Sequence, residues 1–315
     1  MGREVGHQSR KHQGIWQSRP FFDLAFFEGV FSARDAAEDG SLIAEVFLSQ
    51  VITKVLCRSP VCFSMKNLFS FFLIILAVLP VAGKPKILAL IAEREYETRD
   101  TLPAFFEKHF KEDYEVVIIQ LEDDEHDFAG LKKHLEDTDL LFVSVRRRAP
   151  TVPQMAALRK YIESRKPVLG IRTSSHAFAT NKKQKVPAGH ANWQTWDADT
   201  FGGSYSGHLK REQATTAMVF SEHVITKGLP KKAFSTGGSL YTVKPLAKAT
   251  TVLLSGNAEG SKEDQPVAWN FRRENGGLSF YTSLGHVKDF QSPHFVLLLE
   301  QATEWLLNSA PQERK

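Results

Sequence analysis

From Lys86 onward, continuous apolar runs of strand length alternate with longer amphipathic stretches, and that alternation leaves few folds open. "KILALIA" (86–92), "YEVVIIQL" (114–121), "DLLFVSV" (139–145) and "PVLGI" (167–171) read as strands apolar on both faces. Thr101, Leu102 and Pro103 open an amphipathic helix, with Pro103 in its first turn. "FAGLKKHLED" (128–137) is a short helix, and Thr151 is placed to cap a third over 151–166. Strands apolar on both faces, separated by helices, predict a parallel sheet covered on each side. The rhythm breaks over 179–214, a long segment rich in Lys, Gly, Trp and Asp. Loops of that length in a compact domain are usually functional. Strands return at 215–220, 250–255, 266–271 and 278–285, and a helix over 292–308 closes the domain. The expectation is an α/β fold built on a single doubly wound, mostly parallel sheet, with one domain over 84–310.

The segment before it reads differently. "MKNLFSFFLIILAVLPVAG" (65–83) has a basic start, an apolar run from Leu68 to Leu79, and small residues after Pro80. That is the layout of a secretory signal peptide, cleaved after Gly83. The rival is a membrane anchor, but the run falls short of the roughly 20 residues a span needs. Residues 1–64 then read as an upstream segment ahead of a start at Met65, or as an unstructured extension. Both cysteines, Cys57 and Cys62, lie there, so the exported chain would have no disulfide and no thiol nucleophile. Localisation is expected to be periplasmic or secreted, with no membrane contact once the leader is removed.

The formal net charge is only +4, with charges interspersed, and "RRR" at Arg146–Arg148 is the one tight basic run after the leader. A nucleic-acid partner would need a basic stripe with stacking aromatics, and none is seen. No G-x-G-x-x-G follows a strand and no Walker-type lysine is present, so no nucleotide cofactor is expected, nor any other cofactor. Chemistry should instead gather where parallel strands end. Arg146 follows the third strand, Arg172, Ser175 and His176 the fourth, and His286 and Asp289 the last. Arg146 and Arg147 alternate in direction, so one alone should face the site.

"GIRTSSHAF" (170–178) has the strand–sharp turn–helix spacing of a nucleophile elbow, with Arg172 where the nucleophile would stand. An arginine does not deprotonate in proteins and cannot attack; at such a tip it can bind an anion or oxyanion. In order along the chain, "GIRTSSHAF", "FGGSYSGH" (201–208), "ITKGLP" (225–230), "GGSLY" (237–241), "PVAW" (266–269) and "FYTSLGHVKDF" (280–290) resemble the ThuA-like (trehalose-utilisation) family. That family has a flavodoxin-like, class I glutamine amidotransferase-like fold without the catalytic cysteine. The resemblance implies a sugar-related role, not glutamine amidotransfer. It places His208 and His286 on family histidines, and His286 with Asp289 at the positions of an amidotransferase-like His–acid pair. Two positions depart from the pattern: Arg172 where relatives often carry histidine, and Ser239 where they often carry an acid.

The site expected from this is catalytic His286, oriented by Asp289, with Arg172 and His176. Arg146, Ser175, Tyr205, His208 and Tyr241 would bind substrate, and no metal is included. The expected function is acid/base chemistry by histidine on a sugar or keto-sugar derivative, as an isomerase, lyase or hydrolase. One alternative is a non-catalytic carbohydrate- or metabolite-binding protein. Another is a metal-dependent enzyme ligated by His176, His208 and His286, although no H-E-x-x-H pairing supports it. The partner is a small-molecule sugar, and oligomeric state is open.

Overall fold

The computed structural model describes residues 83–210 and 215–309. The expected upstream segment and all of the leader except Gly83 lie outside them. The strands form where the apolar runs predict: β1 (Lys86–Ala92), β2 (Glu115–Gln120), β3 (Leu140–Val145) and β4 (Val168–Ile171). Between them run α1 (Thr98–His109), α2 (Leu131–Glu136) and α3 (Val152–Glu163). Period-two alternation splits the strands between two cores. Ile87, Ala89, Ile91, Leu140, Phe142 and Leu169 face one way, under Leu102, Phe105 and Phe106 of α1. Leu88, Leu90, Leu141, Val143 and Val168 face the other, under Leu131 and Leu135 of α2 and Met155, Leu158 and Ile162 of α3. Both faces of β1, β3 and β4 are buried, hence their apolar runs, whereas β2, at the sheet edge, leaves Ile118 exposed despite the same expectation.

Helix α1 begins three residues earlier than expected, and Pro103 lies inside it. The cause is Glu93, which is buried just past β1. Its carboxylate accepts the Tyr96 N–H at 3.0 Å and the Thr98 N–H at 2.9 Å, turning the chain into the helix early.

Beyond β4 come α4 (Trp196–Phe201), β5 (Gly207–His208), β6 (Thr216–Val219), β7 (Phe234–Ser235), β8 (Tyr241–Thr242), β9 (Thr250–Asn257), β10 (Gln265–Arg272), β11 (Leu278–Thr282) and α5 (Pro293–Ser309). The segment expected as an irregular loop over 179–214 thus contains a short helix, whose Trp196 and Phe201 are fully buried. The nine-stranded sheet has the order β2-β1-β3-β4-β11-β10-β9-β6-β7. β2, β1, β3, β4 and β11 are mutually parallel, and β10, β9, β6 and β7 extend the sheet antiparallel. Helix α5 adds Phe295, Leu298, Leu299 and Leu306 to the α1 side. Trp269 and Phe280 lie in the core. The carboxyl ends of β1, β3, β4 and β11 therefore share one sheet edge. β5 pairs antiparallel with β8 in a separate two-stranded ribbon, His208 opposite Tyr241.

Candidate active site

The turn after β4 has the elbow geometry. Ile171 is extended, Arg172 has φ 47°, and Arg172–His176 form a 3-10 turn. A left-handed φ at a bulky residue is costly and persists only where the surroundings enforce it. Gly170 makes the turn possible, because a Cβ there would overlap the Phe201 ring and lie 2.5 Å from Ser174 Oγ. Tyr281 Oη donates to the Arg172 carbonyl at 2.7 Å, and Trp196 Nε1 donates to the Ser174 carbonyl at 2.7 Å.

The Arg172 side chain points inward and is 2% exposed. Nη1 donates to the Ser239 carbonyl at 3.0 Å and the Ser283 carbonyl at 2.6 Å. Nη2 donates to Ser239 Oγ at 3.2 Å and, at 3.4 Å, to Tyr96 Oη. Its Cζ lies 4.5 Å from the Tyr96 ring centroid and 4.3 Å from that of Tyr241. A cation this deep is tolerated because neutral oxygens and π faces replace its water. It approaches the Gly237–Gly238 backbone so closely that a Cβ on Gly238 would sit 2.7 Å from Cζ. Contact with a ligand oxyanion, the role expected for Arg172, is therefore not available to these donors as they stand. What the guanidinium supplies to the surrounding pocket is a fixed positive field.

Rings continue outward from it. His286 lies 5.9 Å from Tyr96, Tyr205 lies 4.7 Å from Tyr241, His176 lies 4.7 Å from Tyr205, and His208 lies 6.2 Å from Tyr241. The structure thus gathers Arg172, His176, Tyr205, His208, Tyr241 and His286 in one continuous set of contacts. His176 and His286 stand at its two ends. His176, His208 and His286 do not converge as ligands: among the described residues no three His, Cys, Asp or Glu side chains come together to hold a metal.

The Arg172 carbonyl only accepts, so Tyr281 Oη–H donates to it. His176 Nδ1 lies 3.1 Å from Ser175 Oγ, and the tautomer decides which of the two donates. With Nδ1–H as the donor, Nε2 keeps a lone pair. Burial, with Arg147, Arg146, Arg172 and His208 nearby, holds His176 well below the usual imidazole range, so it is neutral.

In His286 the backbone sets the tautomer. Its Nδ1 accepts the Lys288 N–H at 3.2 Å, so the neutral ring carries its proton on Nε2. Partial burial lowers its pKa, against the pull of Asp289. The expected His286–Asp289 dyad is not formed. Asp289 is buried, and its carboxylate accepts three backbone N–H groups: Gly237 at 2.6 Å, Gly285 at 2.9 Å and His286 at 2.9 Å. A residue three positions on is well placed to cap a tight turn, and main-chain donors reach the carboxylate before the ring does.

Arg146, Arg147 and Arg148 correct another expectation, since all three line one pocket of about 320 Å³ with Asn181, Lys183 and Gln184. Strand alternation ends at Val145, and Arg147 turns left-handed with φ 53°. Arg146 Nε pairs with Glu95 at 3.2 Å. Tyr96, Glu93 and Ser283 were missed in the sequence. Tyr96 and Glu93 follow β1, where the rule that ligands bind at strand ends would have found them.

An α/β sheet with this order, and an elbow carrying an unreactive arginine, defines an amidotransferase-like fold that has no elbow nucleophile. The family model described as trehalose utilisation, ThuA, matches residues 87–306, and the chain belongs to that family. A ThuA-like protein from Bacteroides uniformis is similar, at 20% identity and TM-score 0.53, covering 71% of this chain and 93% of that one. Another from Parabacteroides merdae is 15% identical with TM-score 0.53, covering 73% of this chain and 92% of its own. At these identities the likeness shows the fold alone. No curated protein matches the chain.

Proposed function

We propose that the chain acts on a carbohydrate derivative at the carboxyl edge of the sheet, with His176 Nε2 taking a proton from a carbon or hydroxyl beside a keto group. The observation that carries this is the buried, neutral imidazole of His176, set among the rings around Arg172 with its Nδ1 3.1 Å from Ser175 Oγ. With Nδ1–H donating to that hydroxyl, Nε2 keeps the lone pair a general base requires. The Nε2–H of His286 is the candidate donor to a developing oxyanion, and the buried Arg172 charge stabilises the same charge through space. Tyr205, half-buried beside His176, offers a ring and hydroxyl suited to a sugar, and the family's description, trehalose utilisation, supports that substrate class. Export through the 65–83 leader, to a periplasmic or extracellular place of work, belongs to the same reading.

The test is turnover of a keto-glycoside by the purified protein. His176→Gln should lower kcat at least about 10²-fold, the scale of a general base. Undiminished turnover in that variant would remove His176 from the chemistry. One observation favours a second reading, a binding protein without turnover: the Arg172 donors already rest on Ser239, Ser283 and Tyr96. Saturable sugar binding with no product, in the same samples, would select it.

A further inference from the structure

We infer that the pocket formed by Arg146, Arg147, Arg148 and Lys183 is a subsite for an anionic group, so that the substrate is a sugar bearing a phosphate or carboxylate. The inference rests on the carbohydrate reading above and adds the charge of the substrate. Four of the six residues lining this pocket are cationic, the others are Asn181 and Gln184, and no acid lines it. The acids nearby are engaged at its margins. Glu95 pairs with Arg146, and Asp123 and Asp124 act on Arg148, whose guanidinium is turned to the Glu122 and Asp123 carbonyls. Arg147 uses Nη1 on the Ala179 carbonyl at 2.9 Å, and Lys183 is exposed.

The backbone is built to hold this arrangement. Arg147 is left-handed, a strained conformation for a non-glycine residue and one that clusters at ligand clamps. It is pinned on both sides. Its N–H donates to the His176 carbonyl at 3.1 Å, and its carbonyl accepts Gln184 Nε2 at 2.7 Å. That reversal brings three consecutive arginines to one pocket, where an extended strand would have pointed them apart. The first of those bonds ties the pocket directly to the elbow. Arg147 and Arg146 are also the charges that act most strongly on His176. A ligand whose anion sits here therefore extends toward His176 and Tyr205. Arginine forks suit the planar or tetrahedral oxygens of carboxylate or phosphate.

Isothermal titration of the full-length protein with glucose 6-phosphate, glucuronate, glucose and inorganic phosphate tests this. At least one sugar anion should bind tenfold or more tightly than glucose, and which one binds separates phosphate from carboxylate. Arg146→Gln and Lys183→Gln change exposed side chains and should keep the native circular dichroism. Each should weaken the anion about three- to tenfold and leave glucose unmoved. Glucose binding as tightly as both anions would overturn the subsite while leaving the carbohydrate reading in place. Phosphate binding that Arg146→Gln abolishes, with no sugar bound at all, would support the subsite and overturn the carbohydrate reading. Failure of every probe to bind, or anion affinity untouched by both variants, overturns the inference.

Discussion

Arg172 and Ser239 are hydrogen-bond partners: Nη1 reaches the Ser239 carbonyl at 3.0 Å and Nη2 its hydroxyl at 3.2 Å. The two residues therefore form one unit. A cation at the elbow tip faces a neutral acceptor, so the centre of the site keeps an uncancelled positive charge. A carboxylate at 239 would neutralise it.

Arg172 should consequently be a structural residue as well as an electrostatic one. Arg172→Leu leaves the Ser239 and Ser283 carbonyls and Ser239 Oγ without a donor in a dry pocket. At about 1–3 kcal/mol for the buried groups left unmatched, urea unfolding should show a loss of about 2–4 kcal/mol. Ser239→Ala removes one acceptor and keeps the carbonyl, so about 1 kcal/mol is expected. A double-mutant cycle should show coupling, because the two residues touch. Strictly additive losses would contradict the contact.

Gly238→Ala tests the same packing from the other side. Its Cβ would lie 2.7 Å from Arg172 Cζ, and the guanidinium is held by four oxygens and two rings. Overpacking of this kind costs typically about 1–3 kcal/mol. The expected outcome is a lower unfolding midpoint with an unchanged m-value; an unshifted midpoint would mean the loop can move away freely.

Much of this architecture was legible in the sequence. The apolar runs gave β1, β3 and β4 almost to the residue because a strand buried on both faces is apolar nearly throughout, Ser144 of β3 being matched by the Thr98 hydroxyl. The elbow was legible because Gly170 is the residue a turn this crowded requires. The two-residue strands Phe234–Ser235 and Tyr241–Thr242 were not, since pairs that short carry no period. Asp289 was assigned to the wrong partner because a three-residue spacing fits both a dyad and a turn cap, and only backbone direction separates them. The Arg146–Arg148 pocket was missed because alternation was carried past the end of β3, where Arg147 reverses the chain.

Asp289→Asn separates cap from dyad. The carboxylate accepts from three N–H groups, whereas an Asn amide offers one oxygen and sets its NH2 against a donor. Stability should fall by about 2–4 kcal/mol. Residual turnover should keep the wild-type pH profile, because the ring of His286 is not its partner. A shifted pH limb with unchanged stability would restore the dyad.

His176 gives a pH dependence with a definite sign. Its folded pKa is depressed, chiefly by burial, so below the unfolded value of about 6.5 the unfolded chain binds a proton that the native chain does not. Stability from this group is therefore present above pH 6.5 and is lost as pH falls. The acid limb of kcat/KM should likewise lie below pH 6.5, and should vanish in His176→Gln. An acid limb at or above pH 7 in the wild type would exclude His176 as the base.

Asp197 acts in the opposite direction. Burial raises its carboxyl from 3.8 to about 7, while Oδ2 accepts the Tyr205 N–H at 2.8 Å and Oδ1 is buried without a hydrogen-bond partner. Between pH 3.8 and about 7 the native chain holds a proton that the unfolded chain has released. Stability from this group is therefore full below 3.8 and is lost as pH rises to about 7. At about 1.4 kcal/mol per pKa unit, the loss is on the order of 4 kcal/mol. Asp197→Asn keeps an oxygen for the Tyr205 N–H and removes the charge. It should raise the unfolding midpoint at pH 8 and flatten the slope between pH 4 and 7. The Tyr205 loop should also hold its place better at alkaline pH, because that N–H then meets a neutral acceptor that needs no proton. A variant less stable than wild type at pH 8 would mean that the ionised carboxylate is itself compensated, and that Tyr205 is anchored by charge.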